Sequence, residues 1–156
     1  MADVKPIPDE YPRVFPYLCV DGAVEAIEFY TKVFGATERM RMPTPEGKIE
    51  HAELQIGDAM ITLSDEYPEM GLRSPKTAGV RSVIVNVYVD DVDSAFRQAL
   101  DLGATSVRDI ENQFYGDRTG QFEDPFGHRW SIATHVEDVS PEEMARRAAE
   151  RAETAG

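Results

Sequence analysis

The sequence has almost no cysteine, no long apolar run and few positive charges. Its one cysteine, Cys19, excludes an intramolecular disulfide and a cysteine-rich zinc cluster. No apolar stretch approaches the roughly 20 residues that a membrane helix needs. The start of the chain lacks the apolar core of a signal peptide. These absences predict a cytoplasmic protein.

Acidic residues clearly outnumber basic ones. The chain has 29 Asp and Glu residues against 16 Lys and Arg residues, for a formal net charge of −13. Such a surface repels phosphate backbones and anionic lipid, so we predict neither a nucleic-acid nor a membrane partner. With 156 residues, of which 42% are hydrophobic, the chain is long enough to bury a core of its own.

Two segments of the chain resemble each other. Residues 20–37 read VDGAVEAIEFYTKVFGAT and residues 89–105 read VDDVDSAFRQALDLGAT, so both open with Val-Asp and close with Gly-Ala-Thr. Between those ends, apolar residues recur at the spacing of one helix face. Gly35 and Gly103 stand where a helix ends in a left-handed residue. The repeat therefore predicts one helix in each half.

Strands are predicted around each helix. One precedes it, at 14–20 and 83–89, and is apolar and rich in aromatic or β-branched residues. Three follow it, separated by turns rich in Gly, Pro and Asp, at 37–42, 48–56 and 59–64 in the first half and at 106–111, 120–123 and 128–134 in the second. Each half is thus a β-α-β-β-β module, and the predicted fold class is α+β, with two modules forming a cupped mixed sheet.

We expect a single domain over residues 1–156. Its parts are a first module at about 13–65, a linker at 66–81 that is rich in Pro, Gly and polar residues, a second module at about 82–135, and a C-terminal helix at 140–153. Ser140, Pro141 and Glu143 form a favourable start for that helix. Its Ala, Arg and Glu composition suits a helix that is solvated or packs on a partner subunit.

Side chains alternate along a strand, which predicts the residues that point away from the helix layer. In the first module and then the second, they are Phe15, Tyr17, Cys19, His51, Glu53, Gln55, Met60, Thr62, Ser64, Ile84, Asn86, Tyr88, Arg129, Ser131 and Ala133. This mixture of aromatic, amide and hydroxyl groups suits a concave small-molecule site. A solvated face, or one covered by a second subunit, is the alternative.

His51 and Glu53 are the candidates for chemistry in the first module. They share a strand face, about 7 Å apart. They could act as acid and base, because a histidine in a cleft titrates near neutral pH. The alternatives are contact with a ligand and an ordinary hydrogen-bonding role, and the pattern favours the last of these.

Asp117 and Arg118 lie in the predicted loop 115–120. An Asp–Arg pair favours a bidentate salt bridge that holds the loop, while Arg118 gripping an anionic ligand is the alternative. Tyr115 could stack on a flat ligand or simply pack. The turn at 124–127 is assigned no chemistry, because Pro and Gly supply its backbone angles.

Three further residues have side chains that can ligate metals: His135, Glu137 and Asp138. Near neighbours on one extended stretch rarely converge on a single ion, so we predict no metal there. Of the residues after the turn, Trp130 is predicted to be core and His128 to cap a carbonyl group at the strand edge.

Two long stretches identify a family resemblance. DGAVEAIEFYTKVFGA and YGDRTGQFEDPFGHRWSIATHVEDVSPEEMARR resemble the PhnB-like branch of the glyoxalase/bleomycin-resistance/dioxygenase group, the vicinal oxygen chelate superfamily. The resemblance covers roughly residues 13–148. It implies paired modules whose sheets form an open cup. In enzymes of the superfamily, it implies a divalent metal held by the first and fourth strands of each module.

Those metal positions fall on Phe15, Thr62, Ile84 and Ser131, none of which is a usual metal ligand. The resemblance thus favours a binding protein without metal or cofactor, as among the bleomycin-resistance proteins, over an enzyme. The predicted ligand contacts are Phe15, Tyr17, His51, Thr62, Asn86, Tyr88, Tyr115 and Arg118.

Two alternatives remain open beside the binding protein. One is a glyoxalase- or dioxygenase-like lyase or isomerase whose site, with or without a divalent metal, has moved to His51 and Glu53. The other is a dimerising scaffold, in which a neighbouring subunit covers Phe15, Tyr17 and Tyr88. Members of the superfamily commonly share their cups between chains, so the resemblance also implies a homodimer.

Overall fold

The protein, described here from a computed structural model of residues 4–155, divides into two compact units between Arg81 and Ser82. Each unit contains a strand, a helix and three further strands in the predicted order. The predicted α+β class with two modules is therefore confirmed. Within the described range, no helix is both long and apolar enough to cross a membrane.

The first unit is a four-stranded sheet with one long helix. Its elements are β1 (Tyr17–Val20), α1 (Ala23–Phe34), β2 (Thr37–Pro43), β3 (Ile49–Ile56), β4 (Ala59–Asp65), a 3₁₀ turn at Pro68–Met70 and the short helix α2 (Pro75–Ala78). The strand order is β1-β4-β3-β2. β1 runs parallel to β4, and the other neighbours are antiparallel.

The second unit repeats this plan and adds a terminal helix. Its elements are β5 (Ile84–Tyr88), α3 (Val92–Asp101), β6 (Thr105–Asn112), β7 (Asp117–Glu123), β8 (Arg129–His135) and α4 (Pro141–Thr154). The strand order is β5-β8-β7-β6, again with one parallel pair, β5 and β8.

Each long helix buries one apolar face. The buried residues are Ala23, Ala26, Ile27, Phe29, Tyr30 and Val33 in α1, and Val92, Ala95, Phe96 and Ala99 in α3. Their spacing of three and four residues is the helical period read from the sequence. Gly35, at φ +66°, ends α1 in the left-handed conformation that the repeat predicted.

The start of each long helix is hydrogen-bonded to the last strand of its unit, β4 in the first unit and β8 in the second. In the first unit, the buried carboxylate of Asp65 accepts hydrogen bonds from the backbone N–H groups of Gly22 and Ala23, both at 3.0 Å, and of Ile49 at 2.8 Å. In the second unit, the Thr134 hydroxyl accepts from the N–H of Val92 at 2.9 Å. These side chains satisfy N–H groups that a helix leaves without partners.

Two strands begin three residues away from the predicted position. β1 begins at Tyr17 rather than residue 14, because Pro16 has no N–H to donate to a sheet. β7 begins at Asp117 rather than residue 120, so Asp117 and Arg118 belong to a strand and not to a loop. The predicted linker contains the 3₁₀ turn and α2.

Candidate functional site

The first unit has a sheet face on the side opposite α1. The strand register places Thr62 beside both Tyr17 and Glu53, so these three side chains share that face. His51, two residues before Glu53 on β3, shares it as well. The structure thus brings together four of the residues that the alternation of strand side chains had grouped.

His51 and Glu53 are neighbours, but Glu53 has another partner. His51 Nε2 lies 3.6 Å from Glu53 Oε2, and its ring centroid is 5.7 Å from that of Tyr17. The Tyr11 hydroxyl donates to Glu53 Oε1 at 2.7 Å and to Oε2 at 3.1 Å. Glu53 is only 5% exposed. The candidate acid–base pair is therefore part of a cluster that also includes Tyr11. The sequence alone does not indicate that Tyr11 belongs to this cluster.

The second unit has a cavity of about 120 Å³ on its sheet face. The lining residues are Asn86, Val87, Tyr88, Tyr115, Asp117, Thr119, Ser131 and Ala133. Three of them, Asn86, Tyr88 and Tyr115, are among the predicted ligand contacts. Its volume is below the roughly 300 Å³ at which drug-sized sites begin, so this cavity alone accommodates a small group.

A buried carboxylate forms one wall of that cavity. Asp117 Oδ2 accepts a hydrogen bond from the Tyr88 hydroxyl at 2.7 Å, and Asp117 Oδ1 lies 2.8 Å from His135 Nδ1. The other ring nitrogen of His135 lies 2.8 Å from Asp138 Oδ1. Carboxylates only accept, so these two contacts favour the charged imidazole, in which both ring nitrogens donate. The bond to Asp117 raises the pKa of Tyr88, which keeps the hydroxyl a donor.

We expect the contribution of His135 to stability to decline as pH rises. Its hydrogen bonds to Asp138 and to Asp117 raise the pKa of His135 above its ordinary value. A raised folded-state pKa gives stability that is complete below the unfolded value of about 6.5 and is lost as pH rises through the folded pKa. An NMR titration of the His135 ring checks the direction.

The matched control for that titration is His135→Gln. Its stability should lack the part of the pH dependence that His135 contributes as pH rises above the unfolded value of about 6.5. A His135 pKa at or below that of an unstructured peptide would contradict the network.

Arg118 lies on the opposite side of the sheet from this cavity. Its guanidinium makes a bidentate contact with Asp93 of α3, through Nε at 2.8 Å and Nη2 at 2.9 Å. The expected salt bridge between Asp117 and Arg118 is wrong, because adjacent residues of a strand point to opposite faces. Arg118 is thus not brought together with Asn86 or Tyr88.

The C-terminal helix is attached beside the cavity through Arg147. Its guanidinium contacts Glu137 at 2.7 Å and 3.0 Å and donates to the backbone carbonyl of Phe114 at 3.1 Å. The Arg151 guanidinium lies 4.5 Å from the Phe114 ring centroid. These contacts hold the segment that carries Tyr115. They also commit Glu137 to an ion pair, away from His135.

The turn after β7 has a structural role. Asp124 accepts hydrogen bonds from the N–H groups of Phe126 at 3.0 Å and His128 at 2.9 Å, and from Trp130 Nε1 at 2.8 Å. Trp130 is fully buried, as predicted. The carboxylate thus satisfies the turn and the indole together.

Comparisons with known proteins agree with this fold. Residues 13–132 match the Glyoxalase/Bleomycin resistance protein/Dioxygenase superfamily. The uncharacterized protein Rv0887c of Mycobacterium tuberculosis is 43% identical over 136 residues, which cover 85% of this chain and 80% of that one.

Among the solved structures with a similar fold are two bacterial proteins. Protein PA1353 of Pseudomonas aeruginosa has a TM-score of 0.65 at 22% identity, over 81% of this chain and 99% of that one. A PhnB protein of Bacillus cereus has a TM-score of 0.61 at 16% identity, over 79% and 99%. Because the family match extends over most of the sequence, the chain belongs to the Glyoxalase/Bleomycin resistance protein/Dioxygenase superfamily.

The superfamily's metal positions do not fit a metal here. Phe15 and Ile84 have no lone pair to donate, and they are 38% and 46% exposed. Thr62 is 1% exposed, and its hydroxyl donates to the carbonyl of Pro16 at 3.0 Å. Ser131 adds one neutral hydroxyl, which is a poor ligand for a catalytic divalent ion. Residues 4–155 hold no group of three His, Cys, Asp or Glu side chains arranged to hold a metal.

Proposed function

We propose that the protein binds a small molecule on the sheet face of its second module, without a metal at the superfamily positions. The observation that carries this proposal is the cavity between Tyr88, Tyr115 and Asn86, with the buried carboxylate of Asp117 as one wall. The lining of this cavity combines aromatic surface with a few placed polar groups, which is the usual composition of a ligand site.

The ligand class follows from the lining. Tyr88 and Tyr115 supply flat apolar surface, so an aromatic or amphipathic compound suits the cavity. Asn86, Thr119 and Ser131 supply neutral donors and acceptors. We include in the proposal the assignment to the PhnB-like branch, which rests on the stretches YGDR and DPFGHRW.

Two measurements test the proposal. Protein purified without chelator should carry no stoichiometric zinc, nickel, manganese or iron. In a thermal-shift screen of small aromatic compounds, at least one should raise the unfolding midpoint of the wild-type protein. That shift should disappear in Asn86→Ala but persist in the control Asn112→Ala, which is outside the cavity lining. Stoichiometric metal that is lost in His51→Ala would overturn the proposal.

A second candidate function is lyase or isomerase chemistry at His51 and Glu53. The observation in its favour is the 3.6 Å contact between His51 Nε2 and Glu53 Oε2. Against it stands the Tyr11 hydroxyl, which already occupies the carboxylate. Turnover of any superfamily-type substrate that is abolished in His51→Ala and Glu53→Gln would favour this candidate.

A further inference from the structure

The Tyr11 side chain is held on the first module in the way a protein holds a bound ligand. Its hydroxyl donates to both oxygens of the Glu53 carboxylate. The Arg39 guanidinium lies over its ring, 4.8 Å from the centroid, which is cation–π geometry. The Phe15 ring lies 6.1 Å away at a tilt of 45°. A polar anchor, a cation on one face and a second aromatic ring together make a specific cradle for a phenol.

The segment that carries Tyr11, residues 4–15, has few other attachments to the sheet before Pro16, whose carbonyl accepts from the N–H and the hydroxyl of Thr62, both at 3.0 Å. We call it the N-terminal strap. In the described part of the chain, residues 4–15 make one backbone–backbone hydrogen bond, from Tyr11 N to Pro8 O, within the strap itself. Beyond Tyr11, the strap is joined to the strands through Glu10, whose carbonyl accepts from Arg39 at 2.9 Å and whose carboxylate lies 3.8 Å from the Arg39 guanidinium. No strand pairing therefore fixes the strap in place.

Two of the three groups that hold the ring, Glu53 and Arg39, belong to the sheet, whereas Phe15 belongs to the strap. Glu53 is on β3 and Arg39 is on β2, and Arg39 also contacts Met60 Sδ on β4 at 3.3 Å. Glu53 is buried, and a buried carboxylate without a hydrogen-bond donor is costly. If the strap moves away, the sheet keeps an acceptor and a cation arranged for the same chemical group.

We propose that this face of the first module is a binding site for phenols, and that the chain's own Tyr11 occupies it as a displaceable stand-in. The inference rests on the proposed function only in taking the protein to be a small-molecule binder. It concerns the other module and a different set of residues. The ligand class is a neutral monocyclic phenol, whose hydroxyl takes the position of the Tyr11 hydroxyl on Glu53.

The experiment uses the full chain with Tyr11→Ala and the probe 4-methylphenol, which reproduces the tyrosine side chain. Isothermal titration should show binding at least about tenfold tighter than to the wild-type protein, in which Tyr11 competes. Toluene and 4-methylanisole, which lack the donor hydroxyl, should bind Tyr11→Ala at least about tenfold more weakly than 4-methylphenol, because a hydrogen bond to a charged group is lost.

Two further variants keep the proposal falsifiable. Adding Glu53→Met to Tyr11→Ala removes the acceptor and should abolish the preference for 4-methylphenol over toluene. If Tyr11→Ala does not fold, Tyr11→Phe serves instead, because it keeps the ring and loses the hydroxyl that donates to Glu53. 4-Methylphenol should then bind Tyr11→Phe more tightly than it binds the wild-type protein. Equal affinity for wild-type and variant protein, or equal affinity for toluene and 4-methylphenol, overturns the proposal.

The outcome is separable from that of the proposed function. A failed phenol titration leaves the thermal-shift result with Asn86→Ala in the second module unchanged. A failed screen there leaves the comparison between Tyr11→Ala and wild type intact.

Discussion

Gly116→Ala should be among the most destabilising single substitutions in the second module. Gly116 has φ +102°, a conformation that L side chains rarely adopt. A Cβ added there would lie 2.1 Å from the carbonyl oxygen of Glu137 and 3.1 Å from Val139 Cγ2. The carbonyl is part of the backbone, and it cannot rotate away as the end of a side chain can.

The surrounding hydrogen bonds prevent an easy rearrangement. The Gly116 carbonyl accepts from the N–H groups of Val136 at 2.9 Å and Glu137 at 3.0 Å, so the two segments are joined where the clash occurs. We expect a loss of about 3 kcal/mol or more in the free energy of unfolding, measured by urea denaturation. The thermal midpoint should fall by roughly 6–12 °C.

Gly57→Ala is the matched control. Gly57 also has a positive φ, +57°, but an added Cβ meets no atom within 4 Å. Only the left-handed conformation penalises alanine there, by roughly 1–2 kcal/mol. Similar losses in the free energy of unfolding for Gly116→Ala and Gly57→Ala would show that the added Cβ at position 116 does not clash with Glu137.

Asp65→Ala should cost a comparable amount in the first module. The substitution leaves three backbone N–H groups, of Gly22, Ala23 and Ile49, without their acceptor. Unsatisfied buried donors cost about 1–3 kcal/mol each, and part of this is recovered if water enters. We expect a loss of about 3 kcal/mol or more in the free energy of unfolding, with the start of α1 affected first.

The control for this prediction is Asp58→Ala, which removes a carboxylate from an exposed turn. It should change the free energy of unfolding by no more than about 0.5 kcal/mol. Amide hydrogen exchange provides a second readout, because Asp65→Ala should accelerate exchange at Ala23 and Ile49. A loss under about 1 kcal/mol in Asp65→Ala would mean that the carboxylate does not hold the helix start.

The fold could be predicted from the sequence because its signals are local and repeated. Helical spacing in residues 23–34 and 92–101, followed by glycine, placed both helices within a residue or two. Alternation along the strands put Asn86 and Tyr88 on the face that lines the cavity. The start of β7 at Asp117 is not evident from the sequence, because an Asp-Arg dipeptide beside a glycine is also typical of a loop.

The site was harder to predict from the sequence than the fold, because its contacts join residues that are distant in sequence. Tyr11 reaches Glu53 across 42 residues, and Tyr88 reaches Asp117 across 29. No spacing rule relates such positions, and both partners belong to residue types that are common on surfaces. The separation of Asp117 from Arg118 was predictable in principle, since one strand sends neighbours to opposite faces.

Asp65 and Thr134 occupy equivalent places in the two halves, since Asp65 pairs with Val20 and the Thr134 hydroxyl donates to the carbonyl of Val89. The two halves therefore share a hydrogen bond from the helix start to a strand side chain, although a different chemical group accepts it in each half. In both halves an oxygen atom accepts from the helix start, that of a carboxylate in the first and that of a neutral hydroxyl in the second. Thr in place of Asp65 should accordingly be tolerated better than Ala, although it would still leave Ile49 without its acceptor.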